Sequence, residues 1–204
     1  MKKDRHNRKA QILQALAQML ENEVGGKITT ARLAAEVGVS EAALYRHFPS
    51  KGKMFEGLIE FIEETLISRM KAIRDGKARL LEQTDAVIVL WLTFAQKNPG
   101  MCRVMMGDAL VGEHGRLRQR VAQLFARLET ELRTWVRDAE IRDGERLCVP
   151  EAAFANFVVA MIEGQIHALV RHAYDYNALQ YWEDQRHVLS AFLANRLEEL
   201  PALN

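Results

Sequence analysis

The sequence predicts an all-α protein of about nine helices. Three observations lead there. Apolar residues recur at three- and four-residue intervals along most of the chain, which is the helical period. No stretch alternates polar and apolar at period two, as a half-buried strand would. The breaks are Gly-Gly, Asp-Gly and Asn-Pro-Gly, which stop and start helices.

The first helix is expected over about 5–23, where Ile12, Leu13, Leu16, Met19 and Leu20 share a face, and Val24-Gly25-Gly26 stops it. Residues 28 to 48 read as two short helices with a tight turn. Leu33, Ala34 and Val37 form the apolar face of the first. Gly38 suits the left-handed residue just past a helix C-terminus. Ser40 suits the N-cap of the second helix, and Leu44 and Phe48 face the same core. This is helix-turn-helix grammar, with a second helix short enough to lie in a DNA major groove.

Ser50 then caps a long helix to about Arg74, whose stripe is Phe55, Leu58, Ile59, Ile62, Leu66, Met70 and Ile73. Phe61 lies off that stripe, an exposed aromatic suggestive of a contact site. After Asp75-Gly76, a helix over 78–96 is apolar on most sides and so largely buried. Asn98-Pro99-Gly100 turns the chain into a short helix over 101–110, and a loop follows over 112–115.

A long helix over 116–142 pairs an apolar face with a charged one (Arg116, Arg118, Arg120, Arg127, Glu129, Glu131, Arg133), read as solvated. Pro150 is expected to open a helix over 151–173, and the last helix spans 180–199. These two are apolar over more surface than one small bundle needs. Ala152, Ala153, Ala155, Ala160, Gly164 and Ala168 permit close helix approach, so a homodimer through the last two helices is expected.

Charge is unevenly spread. Formal net charge is +1, but residues 1–54 hold ten Lys/Arg against five Asp/Glu, leaving 18 basic and 22 acidic residues for the remainder. A basic head on a mildly acidic body suits a polyanion at one end. Cys102 and Cys148 lack zinc or redox spacing and read as small apolar fillers. No secretory signal is visible, and no apolar run reaches the length of a membrane span, so a cytoplasmic protein is expected. No metalloprotease, phosphate-loop, metal-ligand or nucleophile motif appears among the residues, so neither an enzyme nor a cofactor or metal is expected.

The motif Ile-Thr-Thr-x-x-Leu-Ala-x-x-Val-Gly-Val-Ser (28–40), then Leu-Tyr-Arg-His-Phe-Pro-Ser-Lys (44–51), a long fourth helix and an all-α body resemble the TetR family of DNA-binding regulators. The resemblance implies a helix-turn-helix head over 1–52 and a core and dimerisation domain over 53–204. It is narrower still over about 8–140, toward the nucleoid occlusion branch of that family. The carriers are Arg-Lys-Ala-Gln-Ile-Leu-Gln-Ala-Leu-Ala (8–17), Val39 to Lys51, Leu58 to Glu63 and Asn98-Pro99-Gly100. That branch implies palindromic double-stranded DNA and the tubulin-like division protein FtsZ as partners, with location on the nucleoid. It also implies Phe61, Arg69, Leu90, Lys97 and Asn98 as the partner-binding set.

At the DNA end, roles follow from position. Thr29 and Thr30 open the second helix, where hydroxyls and free N–H groups hold a phosphate. Ser40 and Glu41 lie near base edges. Ala42 and Ala43 let the recognition helix approach closely and present methyls to thymine. Tyr45, His47 and Lys51 are placed on phosphates, with Tyr45 as a core residue and His47 as a cap the plainer alternatives; Arg46 reads guanine or touches backbone. Arg5, Arg8 and Lys9 in the basic lead-in are read as phosphate contacts. The competing function is a ligand-responsive TetR repressor, with a small-molecule pocket lined by Trp91, Phe94, Met101 and Phe157.

Overall fold

A computed structural model describes residues 2–23, 28–76, 79–112, 115–144 and 146–193; the side chains of residues 2–7 and 192 lie outside that description. The helices are α1 (Lys2–Asn22), α2 (Thr30–Val37), α3 (Glu41–His47), α4 (Lys51–Asp75), α5 (Leu80–Lys97), α6 (Pro99–Met106), α7 (Gly115–Asp143), α8 (Glu151–Arg171) and α9 (Trp182–Leu193). A 3-10 turn at Asp108–Leu110 follows α6. Among the described residues there is no strand.

Most helix boundaries shift by one to four residues from expectation, and those of α6 do so for a local reason. Pro99 and Gly100 belong to the first turn of α6, because a proline lacks the N–H that a first helical residue leaves unused. That helix ends at Met106 and not at Leu110, since Gly107 takes φ 82° and breaks the ladder. Pro150 is the N-cap of α8 and not its first helical residue, and α8 ends at Arg171, two residues short of the expected 173. The last helix begins at Trp182, and the expected stretch beyond Leu193 lies outside the described residues.

One hydrophobic core runs through the molecule. Ile12 and Leu16 of α1, Leu33 of α2, Leu44 of α3 and Phe48 close the three-helix head. The α4 stripe (Phe55, Leu58, Ile59, Ile62, Leu66, Met70) carries that core into the body, where Trp91, Leu128, Trp135, Phe154 and Ile162 meet. Each large aliphatic or aromatic side chain taken from water there stabilises by about 1.5–3 kcal/mol before conformational entropy is set against it. Trp91 lies against Phe125 with ring centroids 5.7 Å apart, and its indole N–H points at Met70 Sδ at 3.4 Å.

The four residues expected to line a ligand pocket do not converge. Trp91 and Phe94 are packed into the core, Met101 lies under α1, and Phe157 is 42% exposed on the outer side of α8. Apolar composition signalled burial correctly but not hollowness. By length and composition α8 would suit a bilayer, contrary to the expectation that no run approaches that length. Its buried Phe154, Ala155, Val158, Ile162 and Ile166 account for the apolarity by packing.

The charged face of α7 is not simply solvated. Glu63 of α4 accepts from Arg127 at 2.6 Å and from Arg120 at 3.0 Å. Glu56 faces Arg116 at 3.4 Å, and Arg74 faces Glu131 at 3.9 Å. Three rungs thus lace α4 to α7. Cys102 is buried, and desolvation pushes its thiol up to about 12. Cys148 is exposed in the loop before α8, so the filler reading fails there: the loop offers it no core to fill.

Candidate nucleic-acid interface

The turn between α2 and α3 is built by two caps and a glycine. Thr29 accepts the Arg32 N–H at 3.3 Å and opens α2. Gly38 sits at φ 71°, ψ 39°, a conformation that costs a side-chain-bearing residue about 1 kcal/mol or more. Its N–H donates to Ala35 O, and that of Val39 to Ala34 O, so the last carbonyls of α2 are satisfied. Ser40 Oγ then accepts the Ala43 N–H at 3.2 Å and starts α3. Glu41 in the first turn and Arg46 and His47 in the last suit the helix dipole.

A side-chain chain braces the pair. Tyr45 Oη donates to Thr30 Oγ1 at 3.2 Å, and Thr30 Oγ1 donates to Glu41 Oε2 at 2.8 Å. Tyr45 is 41% exposed, so it is not a core residue. Glu41, expected near base edges, has its carboxylate committed to Thr30. Nothing in the sequence separates those two uses, because the bond crosses eleven positions. Arg32 is likewise tied to Glu23, donating from Nη1 at 2.7 Å with a second bond from Nη2.

The remaining expected residues line the same end. Ala42 and Arg46 are exposed on α3, Ala43 and His47 are half-buried, and Lys51 opens α4. Lys51 Nζ lies 5.6 Å from the Phe55 ring centroid. Arg8 is exposed on α1, and Lys9 Nζ lies 5.4 Å over the Phe48 ring. The Arg5 side chain lies outside the described residues.

A second surface opens where head and body meet. A groove of about 420 Å³ is lined by Phe61 of α4, by Lys97, Asn98 and Met101, and by Leu13, Gln14, Gln18 and Glu21 of α1. Phe61 is 45% exposed in it. Three of the five expected partner residues therefore share one wall. Arg69 is exposed elsewhere on α4 and Leu90 is half-buried on α5, and neither lines the groove. The α1 wall was missed by sequence reasoning, since its polar residues look like ordinary solvated helix positions.

Two family profiles match the chain. That of the bacterial regulatory proteins of the tetR family matches residues 12–58, and a SlmA-like, tetracyclin repressor-like C-terminal domain matches residues 78–197. The nucleoid occlusion factor SlmA of Marinomonas sp. (strain MWYL1) is 50% identical over 190 residues, 93% of this chain and 96% of that protein. The chain belongs to the SlmA family within the TetR regulators. SlmA of Shewanella oneidensis is 51% identical over 179 residues, covering 88% of this chain and 91% of its own.

Solved structures place the SlmA-family fold among wider TetR regulators. FadR from Bacillus subtilis in complex with stearoyl-CoA matches with a TM-score of 0.75 at 17% identity, over 88% of this chain and 96% of that one. A TetR transcription regulator from Haloarcula marismortui matches at 0.74 and 18%, over 93% and 98%. At such identities the likeness speaks to the fold alone. The matching profiles are those of regulators, not of enzymes.

Proposed function

We propose that this protein is a nucleoid occlusion factor that binds palindromic chromosomal sites as a homodimer and, from there, binds FtsZ and blocks division-ring assembly over the nucleoid. The observation that carries this reading is the half-identity to SlmA proteins across nearly the whole chain. In this reading residues 1–52 are the DNA-binding domain and 53–204 the core and dimerisation domain, and the protein works in the cytoplasm on the nucleoid.

Thr29, Thr30, Tyr45, His47 and Lys51, with Arg5, Arg8 and Lys9, hold phosphates. Ser40, Ala42, Ala43 and Arg46 face base edges, with Glu41 acting through Thr30. The partner enters the groove at Phe61, Lys97 and Asn98, and Arg69 and Leu90 flank it. An aromatic left half exposed beside a cation is what a mixed apolar and acidic peptide needs. The outward face of α8 supplies the dimer contact, where Ala153, Phe157, Ala160, Gly164 and His167 are exposed at heptad-like spacing.

Light scattering of purified FtsZ during GTP-driven assembly, with this protein and a selected DNA site, tests the reading. Assembly should fall with wild type plus DNA and persist with Phe61→Ala/Lys97→Glu, which should bind DNA as before. Unimpaired FtsZ assembly with the wild type, alongside release of DNA by a small molecule, would favour a ligand-responsive repressor instead.

A further inference from the structure

Arg103 sits in the middle of α6 and is 4% exposed. Its guanidinium crosses the joint between body and head. Nη1 donates to Leu20 O at 2.8 Å and to Glu23 O at 2.6 Å, and Nε donates to Asp108 Oδ2 at 2.7 Å. Both carbonyls lie at the C-terminal end of α1, where helical carbonyls lack intrahelical partners and the dipole favours a cation. Asp108 is presented by the left-handed Gly107 that ends α6. One turn earlier on α6, Gly100 lies so close to α1 that a Cβ there would stand 2.0 Å from Ala17 O and 2.9 Å from Glu21 N. The α8–α9 connection turns through two positive-φ residues, Ala173 and Tyr174, and the Tyr174 phenol, raised in pKa first by burial, also feels the charges of Arg103, Asp108 and Glu21. The two helices therefore touch at two levels, with backbone against backbone at one and a planar fork at the other.

We propose that Arg103 is a specificity-determining positioning residue: by clamping the end of α1 to α6 it fixes the angle at which the head leaves the body, and so the half-site spacing the protein accepts. The inference rests on the reading of the protein as a two-fold DNA binder. The leverage is geometric. At 1.5 Å per residue α1 is roughly 30 Å long, so a tilt of about 5° at the clamped end moves the other by nearly 3 Å. One extra base pair between half-sites shifts a head by about 3.4 Å and rotates it by about 35°. A clamped head cannot follow that displacement, whereas a head free to tilt follows part of it. Guanidinium suits the role because its donors are spread over separate nitrogens in one plane, while an ammonium gathers its three donors on a single atom and cannot span the carbonyls and Asp108 in the same way.

The test uses the full chain and a palindromic duplex selected by the wild type from a random pool. Versions of that duplex have the spacer changed by one base pair in either direction, and a single half-site duplex serves as a further probe. Wild type should lose roughly tenfold or more in affinity for the altered spacers, a typical cost of one spoiled contact set. Arg103→Met should bind the half-site as wild type does but show markedly less discrimination between spacers, and Arg103→Lys should lie between the two. Asp108→Asn, which leaves both carbonyl bonds in place, should lose part of the discrimination and covers the case in which Arg103→Met does not fold. Unchanged discrimination in folded Arg103→Met, or in Asp108→Asn if only that variant folds, would overturn the proposal. So would equal loss on half-site and palindrome, which would make Arg103 a residue that merely keeps the head folded. A wild type that selects no palindrome would instead overturn the two-fold reading beneath it.

Discussion

Glu63 on α4 accepts a hydrogen bond from Arg127 on α7 at 2.6 Å, across 64 positions of sequence. Burial works against its charge, but the bonds from Arg127 and then Arg120 outweigh it, and its pKa is lowered below the usual 4.5. A carboxylate with a depressed folded pKa contributes stability that is complete above the unfolded value and is lost as pH falls through the folded one. Glu63→Gln should therefore cost about 1–2 kcal/mol near neutrality, between the values of exposed and buried pairs. It should also flatten the acid limb of stability against pH below about 4.5. Urea melts at a series of pH values check both. Equal losses at neutral and strongly acid pH would show that Glu63 acts by packing and not by charge.

Gly100 is the place where α6 and α1 leave no room for a side chain. Gly100→Ala must push the two backbones apart, an overpacking cost of about 1–3 kcal/mol. For a chain of this size that lowers the melting temperature by roughly 2–10 °C. Gly52→Ala is the control, because its Cβ meets only Ser50 Oγ at 3.8 Å in the first turn of α4. There the helical propensity of alanine should hold or raise stability. Calorimetry of both variants decides whether the loss belongs to the joint or to glycine replacement in general.

How much of this was readable beforehand follows from the range of each interaction. The Gly38 turn and the Ser40 and Ser50 caps are bonds within five residues, and the sequence pattern carried them. The off-stripe position of Phe61 was a matter of helical phase and was likewise legible. Glu63 with Arg120 and Arg127, Thr30 with Glu41, and Arg103 with Leu20 and Glu23 join positions from 11 to 83 apart. No periodicity reports such pairs, so the arginines of α7 looked solvated and the α1 wall of the groove looked like plain surface. The Cys148 misreading has the opposite cause: residue type favoured burial, and the loop overruled it.

Phe157 is 42% exposed on a face of α8 that is otherwise small or polar. If that face meets its copy in a second chain, a charge there is buried without a partner, which costs several kcal/mol. Phe157→Glu should shift the sedimenting species from dimer toward monomer at micromolar concentration. It should weaken binding to a palindrome far more than to a half-site. A variant that sediments as the wild type does would remove this face from the interface.

Lys51 opens α4 at the end of the recognition turn, with its ammonium 5.6 Å from the Phe55 ring centroid. That aromatic contact restrains the side chain, so a phosphate bound there would meet a cation already partly ordered. Lys51→Ala should weaken binding to all duplexes by a similar factor. It should also reduce the slope of log affinity against log salt by about 0.9, one phosphate's worth of released counterions. Stability should change little, because Lys51 is only half-buried in the first turn of α4. Titrations of two unrelated duplexes at several salt concentrations separate the alternatives. A change in sequence preference with an unaltered slope would place Lys51 on a base edge, and no change in either would remove it from the interface.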